Sequence, residues 1–217
     1  HLMTRHDGFM LHASFIEHEG RAILFTAPSE TGKSTQARLW CDHLGAELVN
    51  GDRKFTAYGQ GVLADFTLSD EELRFIAENH DVVVSDQWGK ISEYFPKLRK
   101  MGIPTAYDCS TRVSGPSALS VIPHTDYLFF SADDGDCRTL RELMKVLHSM
   151  GPKLVIAMLG EDGSLCFDGK DFHKYGIVPC DNVVDTLGAG DSYISGFLFG
   201  LIHGLSIEEC MAKGAAN

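Results

Sequence analysis

The stretch Asp185-Thr186-Leu187-Gly188-Ala189-Gly190-Asp191, with the apolar residues 193–202 directly behind it, constrains this chain more than any other segment. Three small residues ahead of an acid, and a long apolar run after it, read as a loop that opens a helix. The backbone amides of Gly188, Ala189 and Gly190 would then face an anion at the positive end of the helix dipole, with no Cβ crowding at either glycine. Such a nest suits a phosphoryl group. Asp191 beside it is placed to accept a proton from an attacking hydroxyl, because phosphoryl transfer asks the protein mainly for positioning and charge stabilisation.

A second phosphate-type signature lies near the start, Ala27-Pro28-Ser29-Glu30-Thr31-Gly32-Lys33-Ser34. It matches GxxxxGK[ST] except at its first glycine, which is Ala27. An apolar run, 21–26, precedes it and a helical stretch, 34–44, follows, which is the strand–loop–helix context such a loop requires. In that geometry successive amides cradle phosphate, Lys33 reaches the outer phosphates and the Ser34 hydroxyl holds magnesium. Residues 11–25 read as a hairpin that turns at Glu19-Gly20, and Asp52 in Asn50-Gly51-Asp52-Arg53 would stand at a strand end near the nucleotide.

The rest of the chain alternates short runs rich in branched residues (81–85, 105–108, 126–131 and 153–158) with segments of helical character (70–79, 90–101 and 136–150). That alternation predicts an α/β fold, a Rossmann-like and mostly parallel sheet with helices on both faces. Ser69 with Glu72 forms a capping box that starts the first helix, and Gly102-Ile103-Pro104 stops the second. Turns at 161–163 and at Asp168-Gly169 predict antiparallel hairpins, so the sheet should be mixed at one edge. Chemistry-bearing loops follow strands, where ligands of such sheets collect.

At the DTxGAGD residues, 185–191, the chain resembles the ribokinase (PfkB) family of sugar kinases, and the order of its segments is closest to the fructoselysine 6-kinase-like members. The resemblance runs from about residue 50 to 217. It implies a ribokinase-like fold, ATP with Mg2+ as cofactors, a small-molecule sugar as substrate, Asp191 as catalytic base and Gly188, Ala189 and Gly190 as an anion hole. It further implies that Gly160 and Gly163, in the turn after the strand 154–158, border the nucleotide together with Thr186 and Asn217. Asp108-Cys109-Ser110-Thr111-Arg112 resembles the family's DxNxR segment with Ser110 in place of Asn, which makes Arg112 and Asp108 candidates for contact with phosphate or substrate. Ser131 and Asp134 depart from the family's NxxE pattern, so no metal ligand is assigned.

Residues 1–53 resemble the P-loop segment of HPr kinase-like and phosphoenolpyruvate carboxykinase-like proteins, with Lys33 and Ser34 on the nucleotide. The reading is therefore an apparent fusion: a P-loop βα segment over 1–53 and a truncated ribokinase-like domain over 54–217. No Gly-Gly-Asn segment of the kind that supplies sugar contacts in the family is found before Asn50. Three functions stay open: an ATP-dependent carbohydrate kinase acting on a sugar or sugar-amine hydroxyl, a P-loop kinase or nucleotidase, and a nucleotide-binding fusion that turns over nothing.

A formal charge of −11 argues against nucleic-acid and anionic-membrane partners, where a basic face is expected. No run approaches the roughly 20 apolar residues of a membrane span. The six cysteines have no paired spacing, as expected of reduced thiols in a cytoplasmic protein, and the histidines form no metal-type cluster. Trp88, at a strand end, is open to a role in stacking or in core packing. Exposed sheet edges make a homodimer a further expectation.

Overall fold

The computed structural model describes the backbone of residues 13–18, 21–26 and 47–48, and residues 65–179 and 188–216 in full. The chain divides into two compact units, one of residues 1–65 with 183–187 and one of 66–182 with 188–217.

In the first unit, β1 (Ala13–His18) and β2 (Arg21–Thr26) pair antiparallel, with Ala13 opposite Thr26 and His18 opposite Arg21. The antiparallel pairing expected over 11–25 is present in these strands; Glu19 and Gly20 lie outside the described residues. A short strand β3 (Glu47–Leu48) pairs antiparallel with the other side of β1, giving the order β2-β1-β3. Ala27, Lys33, Ser34 and Asp52 lie outside the described residues.

The second unit holds a sheet of six strands in sequence order: β4 (Val83–Asp86), β5 (Thr105–Asp108), β6 (Tyr127–Ser131), β7 (Leu154–Met158), β8 (Ser164–Phe167) and β9 (Phe172–Tyr175). The first four are parallel, and β8 and β9 are added antiparallel, so the mixed edge is where the two turn signals put it. Around the sheet lie α1 (Asp70–Asn79), α2 (Phe95–Lys100), α3 (Pro116–Val121), α4 (Arg138–Ser149), α5 (Ala189–Ile202) and α6 (Ile207–Ala215).

Side chains alternate across the sheet into two cores. Tyr107, Leu128, Phe130, Val155 and Ala157 join Leu73, Leu98 and the Leu140, Met144, Leu147 stripe of α4 in one. Ala106, Phe129 and Ile156 join Ile194, Phe197 and Leu198 of α5 and Cys210 and Met211 of α6 in the other. Burial on both faces explains why the central strands read as nearly unbroken apolar runs.

Local signals act as read at α1, where the Ser69–Glu72 capping box is closed in both directions. The single helix expected over 90–101 is instead a 3-10 turn, Ile91–Tyr94, running into α2. Pro96 in the first turn of α2 suits a fresh helix start, since that position needs no backbone donor. Neither α3 nor α6 is foreseen by the periodicity, although Ser206 and Glu209 cap α6 with the same box that opens α1. α6 approaches α5 through glycines: a Cβ on Gly196 would stand 2.5 Å from the Lys213 carbonyl oxygen, and one on Gly200 would stand 2.8 Å from Cys210 Sγ.

The amino ends of the strands are tied down by Asp126, whose side chain is nearly buried. It accepts from the Thr105 amide at 3.0 Å and pairs with Arg99 at 3.2 Å and Lys153 at 3.1 Å. That end of the sheet is held by structural bonds.

Candidate functional site

Gly188 caps α5 in the left-handed conformation, φ 79°, and the helix opens with Ser192 N–H donating to the Gly188 carbonyl at 2.8 Å. The amides of Ala189, Gly190 and Asp191 precede the first intrahelical bond, and no side-chain cap closes them. A left-handed position is cheap only for glycine, which is why Gly188 can turn the chain this tightly. Asp191 is exposed, and its Oδ2 reaches back to 4.0 Å from where a Cβ on Gly188 would stand. The carboxylate therefore lies beside the open helix end.

Two more carboxylates stand nearby. Asp86 and Asp108 end β4 and β5 and are register partners on the last rung. Asp86 Oδ1 accepts from the amides of Trp88 (2.9 Å) and Gly89 (2.6 Å), and Asp108 Oδ1 accepts from the Ser110 amide at 2.8 Å. Burial pushes the Asp108 carboxyl above the usual range; the Ser110 amide works against this, while the charges of Asp191 and Asp86 add to it. Burial, with the Asp108 charge adding to it, pushes the neighbouring Cys109 thiol up to about 12, so it is an inert core group. Asp86 is missing from the sequence expectations. Its signal is an acid that ends an apolar strand run, as Asp108 does, but only the sheet register reveals that the two are neighbours.

Ser110, which stands where the resemblance expects Asn, has φ 50°, the one positive value at a non-glycine among the described residues. Asn tolerates that conformation better than Ser. Arg112 is exposed, and its guanidinium carbon lies 5.7 Å from the centre of the Trp88 ring. Trp88 itself is half-buried and is not among the residues of these two cores.

Gly160 and Gly163 shape the turn between β7 and β8, with φ 58° and 85°. A Cβ on Gly163 would stand 2.1 Å from the Tyr175 carbonyl oxygen, whereas one on Gly160 would meet nothing within 4 Å. Gly163 is thus required by the passage of β9, and Gly160 leaves an open surface. Lys33, Ser34, Asp185, Thr186 and Asn217 lie outside the described residues. Among the described residues no three His, Cys, Asp or Glu side chains stand close enough together to hold a metal ion.

The profile of the pfkB family carbohydrate kinases matches residues 93–217, more than half of the chain. Over 170 residues the sequence is 41% identical to the fructoselysine 6-kinase of Escherichia coli (strain K12), covering 78% of this chain and 64% of that protein. The chain belongs to the pfkB family of carbohydrate kinases. Another relative, the fructosamine kinase of Bacillus subtilis (strain 168), is 31% identical over 151 residues, covering 68% of this chain and 52% of the relative. This pfkB family chain therefore spans less than two thirds of the length of these relatives. Its fold is similar to that of Arabidopsis thaliana ribokinase solved with ribose and ATP, at a TM-score of 0.64 and 21% identity over 95% of this chain and 61% of the other.

Proposed function

We propose that the chain is the greater part of an ATP-dependent carbohydrate kinase that phosphorylates a hydroxyl of a sugar or sugar-amine, a fructosyl amine such as fructoselysine being the first candidate. The observation that carries this reading is Asp191, exposed and folded back beside the uncapped amides that open α5. ATP would supply the phosphoryl group. Gly188, Ala189 and Gly190 fit it, because a glycine-capped helix end with free amides is a ready anion site. Those amides would bind and orient the phosphate and offset the charge that develops on its oxygens. Asp191 would accept the proton of the acceptor hydroxyl as that oxygen forms its bond to the γ-phosphorus and the bond from that phosphorus to the bridging oxygen breaks, with ADP leaving.

Gly160 and Gly163 are proposed to border the nucleotide, with Thr186 and Asn217, and Arg112 and Asp108 to lie on the substrate side. Mg2+ is assigned to the phosphates and water, its usual partners in phosphoryl-transfer sites. A cytoplasmic location, the absence of nucleic-acid and membrane partners, and a homodimer belong to the same proposal. No helix among the described residues is long and apolar enough to cross a membrane.

One observation favours a second reading of the N-terminal residues. β2 ends at Thr26, directly before Ala27–Ser34, and pairs antiparallel with β1, which suits a P-loop fused ahead of the kinase unit. The domain division proposed is 1–53 and 54–217. In that reading the nucleotide sits on Lys33 and Ser34, and the chain is a P-loop kinase, a nucleotidase or an inactive nucleotide-binding fusion.

Turnover of ATP against a panel of sugars and glycated amines separates these. Under the sugar-kinase reading, Asp191→Ala lowers sugar-dependent turnover by ~10² or more while nucleotide binding persists. Unchanged turnover in that variant rules the reading out, and a loss on Lys33→Ala instead points to the P-loop.

A further inference from the structure

The phenol of Tyr193 donates a hydrogen bond to Ser164 Oγ at 2.8 Å. Tyr193 lies two residues after Asp191, one turn into α5, and Ser164 directly follows Gly163. Ser164 is 1% exposed, so its hydroxyl depends on a protein partner. The tyrosine ring is held on two sides: it stacks on Phe197 at 6.2 Å between centres, and Gly214 comes so close that a Cβ there would stand 2.9 Å from the ring. Beside this bond, a Cβ on Gly190 would lie 3.7 Å from the Met158 methyl and 3.8 Å from its sulfur.

Met158 and Ser164 are register partners, the final rung of the β7–β8 pair before its turn. The start of α5 therefore faces both members of that rung: Gly190 stands on the Met158 side, and Tyr193 bonds Ser164. A sliding or rotation of the helix start relative to the turn 159–163 would break the second contact.

We infer that Tyr193 and Ser164 are a positioning pair, whose hydroxyl bond sets the start of α5, and with it Asp191, against the β7–β8 turn. The inference rests on the phosphoryl-transfer reading for its consequence in turnover, since Asp191 and the turn are there given the acceptor and the nucleotide. Neither hydroxyl touches substrate in this assignment. The ring of Tyr193 supplies packing that a phenylalanine would keep, so the hydroxyl can be tested apart from the fold.

The test uses the 217-residue chain with Tyr193→Phe, Ser164→Ala and the double variant, read by amide hydrogen exchange and by steady-state kinetics. Exchange in the segment 192–195, whose amides are the first to be bonded within α5, is expected to speed up by about 10-fold in each single variant, with 207–215 unchanged. The kcat is expected to fall by about 10-fold with KM for the acceptor within about twofold, and the double variant to lose no more than either single one. Exchange at 192–195 and kcat both within about twofold of wild type, even with a lower Tm, would show a merely structural bond and overturn the inference. Exchange does not depend on turnover, so a wild-type chain that phosphorylates no acceptor counts against the kinase reading, and the pair is then decided by exchange alone.

Discussion

Asp86 and Asp108 occupy the same rung of two parallel strands, so two carboxylates stand side by side at the carboxyl end of the sheet with Asp191 close enough to act on one of them. Like charges placed directly across a strand pair are destabilising.

Asp108→Asn should therefore stabilise the chain at neutral pH. Burial and the neighbouring charges raise the Asp108 pKa above its ordinary 3.8, so the folded state holds this proton more tightly than the unfolded state. Unfolding free energy contributed by this group is highest below pH 3.8 and falls as pH rises through the window up to the raised value. Above that window the charged carboxylate is a net cost. Urea unfolding of wild type and Asp108→Asn at several pH values from 4 to 8 checks this, and the gain should grow with pH and then level off.

Ser110 is strained where the resemblance expects Asn. With φ 50°, its left-handed backbone costs about 1 kcal/mol for an ordinary L-residue, and less for Asn. Ser110→Asn should raise stability by roughly 0.5 kcal/mol, seen as a higher urea midpoint with the same m-value.

Gly163→Ala should be among the most damaging single substitutions in the second unit. Its Cβ would stand 2.1 Å from the Tyr175 carbonyl oxygen, at a backbone conformation, φ 85° and ψ −121°, that only glycine adopts readily. A loss of at least about 3 kcal/mol is expected, against about 1 kcal/mol for Gly160→Ala, which meets no atom and has only an unfavourable φ to bear. Paired denaturation curves separate the two.

His173 ties three elements together and makes the chain pH-sensitive on its alkaline side. Its Nδ1 faces Glu208 Oε1 of α6 at 2.7 Å and its Nε2 faces Asp168 Oδ2 at 3.1 Å. Burial works to lower the His173 pKa, but the bonds and charges of Asp168 and Glu208 outweigh it and the net shift is upward. The stabilisation is thus fully present below about pH 6.5, the ordinary histidine value, and is lost as pH rises through the raised folded value. His173→Gln should destabilise most near pH 5.5 and least near pH 9, measured as the difference in urea midpoint.

Some of this structure is written locally, and that part is legible without coordinates. α1 and its Ser69–Glu72 cap, the strand Thr105–Asp108, the pairing of β1 with β2 and the antiparallel edge at β8 and β9 each depend on neighbours within a few residues. The loop that opens a helix at Gly188 is of the same kind, since a glycine in the left-handed conformation and an apolar run behind it carry their own geometry. α3 and α6 are short, and tertiary packing supplies most of what stabilises helices of that length.

Relationships across elements were decided only when the chain closed on itself. The register that sets Asp86 against Asp108, the bond from Tyr193 to Ser164 and the passage of Tyr175 over Gly163 join residues between 12 and 29 positions apart. A sequence shows that Gly163 is a glycine, but only the sheet shows that β9 leaves no room for anything else. Local chemistry is carried by adjacent residues, whereas pairing register follows from burying both faces of the sheet at once, and that is a property of the whole fold.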